Sequence, residues 1–165
     1  MKQYRVTCAV PVAVLTSLSI VFLAGVRMAG QTTDPFVGTW KLNVAKSTFT
    51  PGPAPKSETI RVEAAGEGHK VTGETVLADG QTGRIEYVAS NDGKDYPVQG
   101  SPTTDAVSAR RIDARTTELE YKKGGKTVRN LRARVSTDGK TLTLSVKGTN
   151  AQGQAVTNNA LYEKQ

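Results

Sequence analysis

This chain is short of the side chains that most often carry chemistry. Of its 165 residues one is Cys, one is His and one is Trp, and aromatic residues make up only 5%. The single cysteine, Cys8, lies near the N-terminus, so the body of the chain can close no disulfide and offers no thiol nucleophile. Stability must come from packing. A lone His69 is too little for a metal or haem site built from His and Cys, so no cofactor and no metal are expected, and His69 reads as a loop or strand-edge residue. There is no Gly-x-Ser-x-Gly elbow, no His-Glu-x-x-His helix and no Cys-His pairing, hence no catalytic residue to name and no expectation of an enzyme. Gly125-Lys126-Thr127 and Gly139-Lys140-Thr141 imitate the end of a phosphate-binding loop, but Glu120 and Arg134 stand where the earlier glycine belongs. Beyond the first thirty residues no stretch repeats apolar residues at i, i+3, i+4 and i+7, so little or no helix is expected.

The N-terminal segment is of another kind. Lys2 and Arg5 precede an uncharged run from Cys8 to Gly25 that carries Val10, Val12, Val14, Leu15, Leu18, Ile20, Val21, Phe22 and Leu23. This is the layout of a signal peptide over residues 1–30, with Ala29 and Gly30 allowing a cut near Gln31. The alternative is an uncleaved anchor, since the run is close to the length of about 20 residues that spans a bilayer. Val26 stands where a lipoprotein box would need Cys, which argues against lipid attachment. Export to the periplasm or the extracellular space is the expected localisation. Loss of Lys2, Arg5 and Arg27 with the leader would lower the net charge from +7 to +4, too mild for a nucleic-acid partner.

Residues 31–165 have the size of one domain. Phe36, Gly38, Trp40, Leu42 and Val44 alternate with Thr39, Lys41 and Asn43, as in a strand with one buried face. Pro51, Pro53 and Pro55 then mark a connector that favours neither helix nor ladder. From Ser57 onward Thr/Val/Ile/Tyr-rich runs alternate with turn pairs such as Asp79-Gly80, Gly124-Gly125 and Asp138-Gly139. Strands are expected at 57–64, 69–78, 82–90, 94–99, 104–112, 116–123, 126–136, 140–149 and 154–163. The fold class is therefore all-β: an antiparallel meander of about 8–10 strands closed into a barrel or clam, because closure removes the two exposed edges. A barrel larger than about eight strands leaves room inside.

Phe36-Val37-Gly38-Thr39-Trp40-Lys41-Leu42 is similar to the opening strand of the intracellular fatty-acid-binding proteins, and its Gly-x-Trp core is shared with the lipocalins. Leu161-Tyr162-Glu163-Lys164 resembles the last strand of the fatty-acid-binding group. The whole pattern also resembles lipocalin-like proteins of unassigned function that many bacteria export. The resemblance implies a calycin β-barrel with a ligand held inside, and with Gly38 and Trp40 closing one end. Arg132 or Arg134 would stack across Trp40 as a lipocalin-like Arg does, the alternative being exposed strand charges. The departures bear on function. Ala160 stands where an Arg paired with Tyr162 would clamp a carboxylate, the proline connector replaces a lid of two short helices, and Lys94-Asp95-Tyr96 only echoes the second lipocalin motif.

The ligand-binding candidates follow from the alternation. Tyr87 after Ile85, Tyr121 after Leu119, and Tyr162 in step with Val156 and Ala160 should point inward, where they either meet a ligand or are satisfied core tyrosines. Arg110 and Arg111 are adjacent in a strand, so one of them should face inward. Arg129 shares its face with Leu131, Ala133 and Val135 and is the second candidate; the competing assignment puts both arginines at the surface. Glu74, Glu86, Glu118 and Glu120 alternate with apolar residues as a solvated face does. The expected role is that of an exported monomeric binding protein for a small apolar molecule or lipid, touching membrane only through an uncleaved leader. The alternative is a structural or interaction module of the cell envelope with a filled barrel. An enzyme would require a carboxylate with anomalous titration in the pocket.

Overall fold

Alternating side chains and glycine turns produce hairpins, and hairpins added in series produce a meander. The computed structural model describes residues 34–150 and 153–165, so the expected leader over 1–30 lies outside the described residues. The strands are β1 (Gly38–Leu42), β2 (Thr48–Thr50), β3 (Ser57–Ala65), β4 (Gly68–Val76), β5 (Thr82–Ser90), β6 (Asp92–Gln99), β7 (Ala106–Asp113), β8 (Thr116–Lys123), β9 (Lys126–Val135), β10 (Thr141–Thr149) and β11 (Ala155–Lys164). From β3 to β11 each strand pairs antiparallel with the next. β1 pairs with β3 on one side, Trp40 opposite Ile60, and with β11 on the other, Trp40 opposite Lys164. The sheet is thereby closed. The expected strands are present with ends shifted by at most two residues.

One element was not foreseen. The first strand is broken after Leu42, where Asn43 caps the 3-10 turn Val44–Lys46 by accepting the Lys46 N–H at 3.1 Å. The chain resumes as β2, also alongside β11, with Phe49 opposite Asn158. β1 and β2 thus share one position, which gives a barrel of ten. The turn also carries Val44 out of the alternation: it is 37% exposed rather than inward.

The base of the barrel is solidly packed. Phe36, Trp40, Leu42, Ile60, Val62, Val135, Leu142 and Tyr162 are buried together, and Trp40 has no exposed surface. The indole Nε1–H donates to the Phe36 carbonyl at 2.8 Å, which satisfies the ring's one polar atom. Gly38 has φ of +142°, and a Cβ there would lie 2.6 Å from Lys164 Cε. Its bareness lets the Lys164 stem cross to the indole, with Nζ 5.0 Å from the ring centroid. This corrects the expectation of an Arg over Trp40. Arg132 and Arg134 alternate with the inward Leu131, Ala133 and Val135, so they face solvent, and Arg132 pairs with Glu118 at 3.3 Å. Replacing Trp40 by Ala should lower the unfolding free energy by about 3–5 kcal/mol, read from urea denaturation; a loss near zero would show that the base does not depend on the indole.

Candidate functional site

Above the packed base the barrel is hollow. A cavity of about 930 Å³ is walled by apolar side chains that include Ile60, Val71, Ile85, Leu119, Leu131 and Leu144. Small residues, among them Gly73, Ala89 and Ala109, are part of its lining. Phe49, Pro51, Pro53, Pro55 and Leu77 also line it. The proline connector therefore takes part in the wall, in place of the helical lid that the resemblance would have supplied.

Tyr87, Tyr121, Tyr162 and Arg129 all line this cavity. The hydroxyls of Tyr87 and Tyr121 lie 3.1 Å apart, with the rings edge to face at 6.1 Å between centroids. Burial pushes the Tyr87 hydroxyl well above the ordinary phenol range, and it raises Tyr121 as well. Both remain protonated at neutral pH and share one hydrogen between them, leaving the other hydroxyl hydrogen free. Arg129, opposite Tyr121 on the next strand, donates from Nη2 to Thr103 Oγ1 at 3.2 Å. No carboxylate among the described residues lies within 4.0 Å of its guanidinium.

The residue that sequence reasoning missed is Glu58. Tyr162 donates to its Oε2 at 2.8 Å from inside the barrel. The signal was available: Glu58 shares the parity of Ile60 and Val62 on β3 and so must point inward with them. Burial raises the Glu58 pKa, opposed by the hydroxyls of Tyr162 and Thr75 and by the field of Arg129, with burial prevailing. The same burial, joined by the neighbouring carboxylate, raises Tyr162. Glu58 and Tyr121 keep some surface toward the cavity while lying deep in the molecule, so the surrounding protein rather than bulk water governs their protons.

Arg110 is corrected. It is exposed on the outer face of β7, in register with Glu118, because Val107, Ala109 and Arg111 take the inward positions. Arg111 is the inward member of the pair, yet it serves the base. Its Nη2 is hydrogen-bonded to Asp34, and its guanidinium carbon lies 4.8 Å from the Phe36 ring centroid. His69 joins the same plug from β4, with Nε2 3.1 Å from Asp34 Oδ2 and its side chain only 14% exposed, so it is neither a loop nor an edge residue. Burial alone would raise the Asp34 carboxyl, but the Phe36 N–H and the Arg111 guanidinium hold it below the usual range. Outside, Arg84 bridges Glu74 and Glu86 at 2.7 Å each, which is the solvated face expected of these carboxylates.

Neither a protein-family model nor a curated protein matches the chain. Among solved structures, the crystal structure of zebrafish ileal bile acid-binding protein complexed with cholic acid is similar at a TM-score of 0.48 and 12% identity, covering 79% of this chain and 99% of that one.

Glu58 also makes a statement about stability. Its folded pKa is raised above the unfolded carboxyl value of about 4.5, so its contribution is fully present below that value and is lost as pH rises through the folded pKa. Glu58→Gln keeps an acceptor for Tyr162 and removes the titration. Thermal denaturation should therefore show the variant matching the parent below about pH 4 and exceeding it at about pH 7–8; identical profiles at every pH would contradict the burial of the charge.

Proposed function

We propose that this protein binds a small, largely apolar molecule inside the barrel, with Tyr87, Tyr121, Tyr162, Arg129 and Glu58 around the polar end of the ligand. The observation that carries this reading is the cavity of about 930 Å³ inside a closed sheet, at the upper end of the range of about 300–1,000 Å³ usual for small-molecule pockets. Its wall is apolar and its polar groups are convergent, the pattern of a site that takes up a body by burial and orients it by a few hydrogen bonds. A space of that size argues against the filled barrel of an envelope module. Export to the periplasm or beyond is part of the proposal, supported by the apolar N-terminal run and by the absence of cysteine after Cys8. A monomer is supported by the closure of the sheet, which leaves no long unpaired edge to recruit a second chain.

Titration of the purified protein with an apolar, environment-sensitive dye should give saturable binding. Competition by a panel of fatty acids, retinoids and aromatic acids should follow. Arg129→Ala or Tyr121→Ala should weaken the competing ligand by roughly ten- to a hundredfold, as loss of a hydrogen bond involving a charged or buried partner does. No uptake by a well-folded protein would favour the envelope module.

One observation favours a second reading. A carboxyl whose pKa is raised by burial, bonded to a tyrosine and sharing an apolar cavity with further hydroxyls and a guanidinium, is the arrangement of a proton-transfer catalyst. In that case the Glu58 carboxylate takes a proton α to a carbonyl, and the carboxyl so formed returns it to another carbon, with Tyr121 or Arg129 steadying the enolate oxygen. Incubating an apolar β,γ-unsaturated ketone with the protein in D₂O would show deuterium uptake that Glu58→Gln abolishes. Saturable binding without uptake leaves the binding role alone.

A further inference from the structure

The polar cluster inside the barrel carries a mismatch that an apolar tail does not resolve. Arg129 gives one N–H to Thr103 at 3.2 Å and has donors to spare. Glu58 takes the Tyr162 hydroxyl on Oε2 at 2.8 Å, with Thr75 opposite it on β4, and has acceptor capacity to spare; among the described residues no cation lies within 4.0 Å of it. The two charges do not neutralise each other through a direct ion pair. Tyr121 lies near both: it is in register with Arg129 on the adjacent strand and responds to the charges of both Arg129 and Glu58. A head group that reaches Tyr121 comes near both the unused donors of Arg129 and the unused acceptors of Glu58. An occupant that displaces cavity water must replace its hydrogen bonds on both sides or lose affinity for each group left unmet.

We propose that the head group of the occupant is neutral and both accepts and donates hydrogen bonds, as a primary amide or an α-hydroxy ketone does. Its oxygen takes the N–H groups of Arg129, and its own N–H or O–H goes to Glu58. This rests on the binding reading above and gives it a ligand class. A simple carboxylate satisfies Arg129 but sets a second negative charge beside Glu58, so it enters together with a proton on Glu58. An ester or plain ketone leaves Glu58 unmet. The groups that face Glu58 are Tyr162 from β11, Thr75 from β4, Arg129 from β9 and Tyr121 from β8. The tyrosines are held protonated by burial and a guanidinium keeps its charge, which leaves Glu58 to respond to pH.

The test is displacement of a bound apolar dye from the full chain by decanoate and by decanamide, from about pH 6 to about pH 9. Decanamide affinity should change by less than about threefold, while decanoate, ionised throughout, should weaken by up to about tenfold per pH unit once Glu58 loses its proton. Glu58→Gln should abolish the decanoate slope. Decanoate that binds the unaltered protein as tightly as decanamide with no pH slope overturns the proposal, whether or not the variant folds. Dye that binds and is displaced by neither molecule overturns it as well. A folded protein that takes up no dye overturns the binding reading beneath it.

Discussion

The closure of β1 against β11 is the contact on which the rest of the molecule depends. Trp40 opposite Lys164 and Leu42 opposite Tyr162 join the first strand to the last, while Trp40 opposite Ile60 joins it to β3. Without that seam the meander would have two long edges and no inside. The break after Leu42 is secured to the same strand: Asn43 Nδ2 donates to Glu163 Oε1 at 2.9 Å, and Ser47 Oγ accepts the Leu161 N–H at 2.9 Å. One strand position is thus filled by two short pieces, both held by polar bonds to β11.

Closure divides the interior into a packed end and a hollow end. At the base the chain supplies Phe36, Trp40, Leu42, Ile60 and Tyr162, and the plug of Asp34, His69 and Arg111 around Phe36 seals it with charge-assisted bonds. The rest of the interior encloses the cavity, whose lining includes the small residues Gly73, Ala89 and Ala109. β5 and β6 share only the pairs Glu86 with Gln99 and Tyr87 with Val98, and Pro97 has no N–H to extend that ladder. The wall is therefore least continuous beside the cavity and most continuous around the base.

Inside the hollow part the physical chemistry is a contest between burial and hydrogen bonding. Glu58 is raised by burial and partly compensated by Tyr162, Thr75 and Arg129; Tyr87 and Tyr121 share a single hydrogen bond. A folded chain seldom leaves a guanidinium and a carboxyl in one cavity without pairing them, since each costs free energy to desolvate. Such groups are expected where an occupant supplies what the protein withholds.

Much of this fold was legible in the residues. Period-2 alternation and glycine turns located ten strands, because pleat geometry and positive φ act over a few neighbouring residues and need no knowledge of the rest. The same parity oriented Tyr87, Tyr121, Tyr162 and Arg129 toward the interior, and applied to Ile60 and Val62 it would have found Glu58. Parity alone left Arg110 and Arg111 undecided, since adjacent residues differ only in which face closes over the core. The break at Asn43, the joining of Asp34, His69 and Arg111, and Lys164 rather than an Arg over Trp40 were decided by the tertiary structure. Each unites residues far apart in the chain, and their distances follow from strand register and barrel closure, which no local pattern encodes.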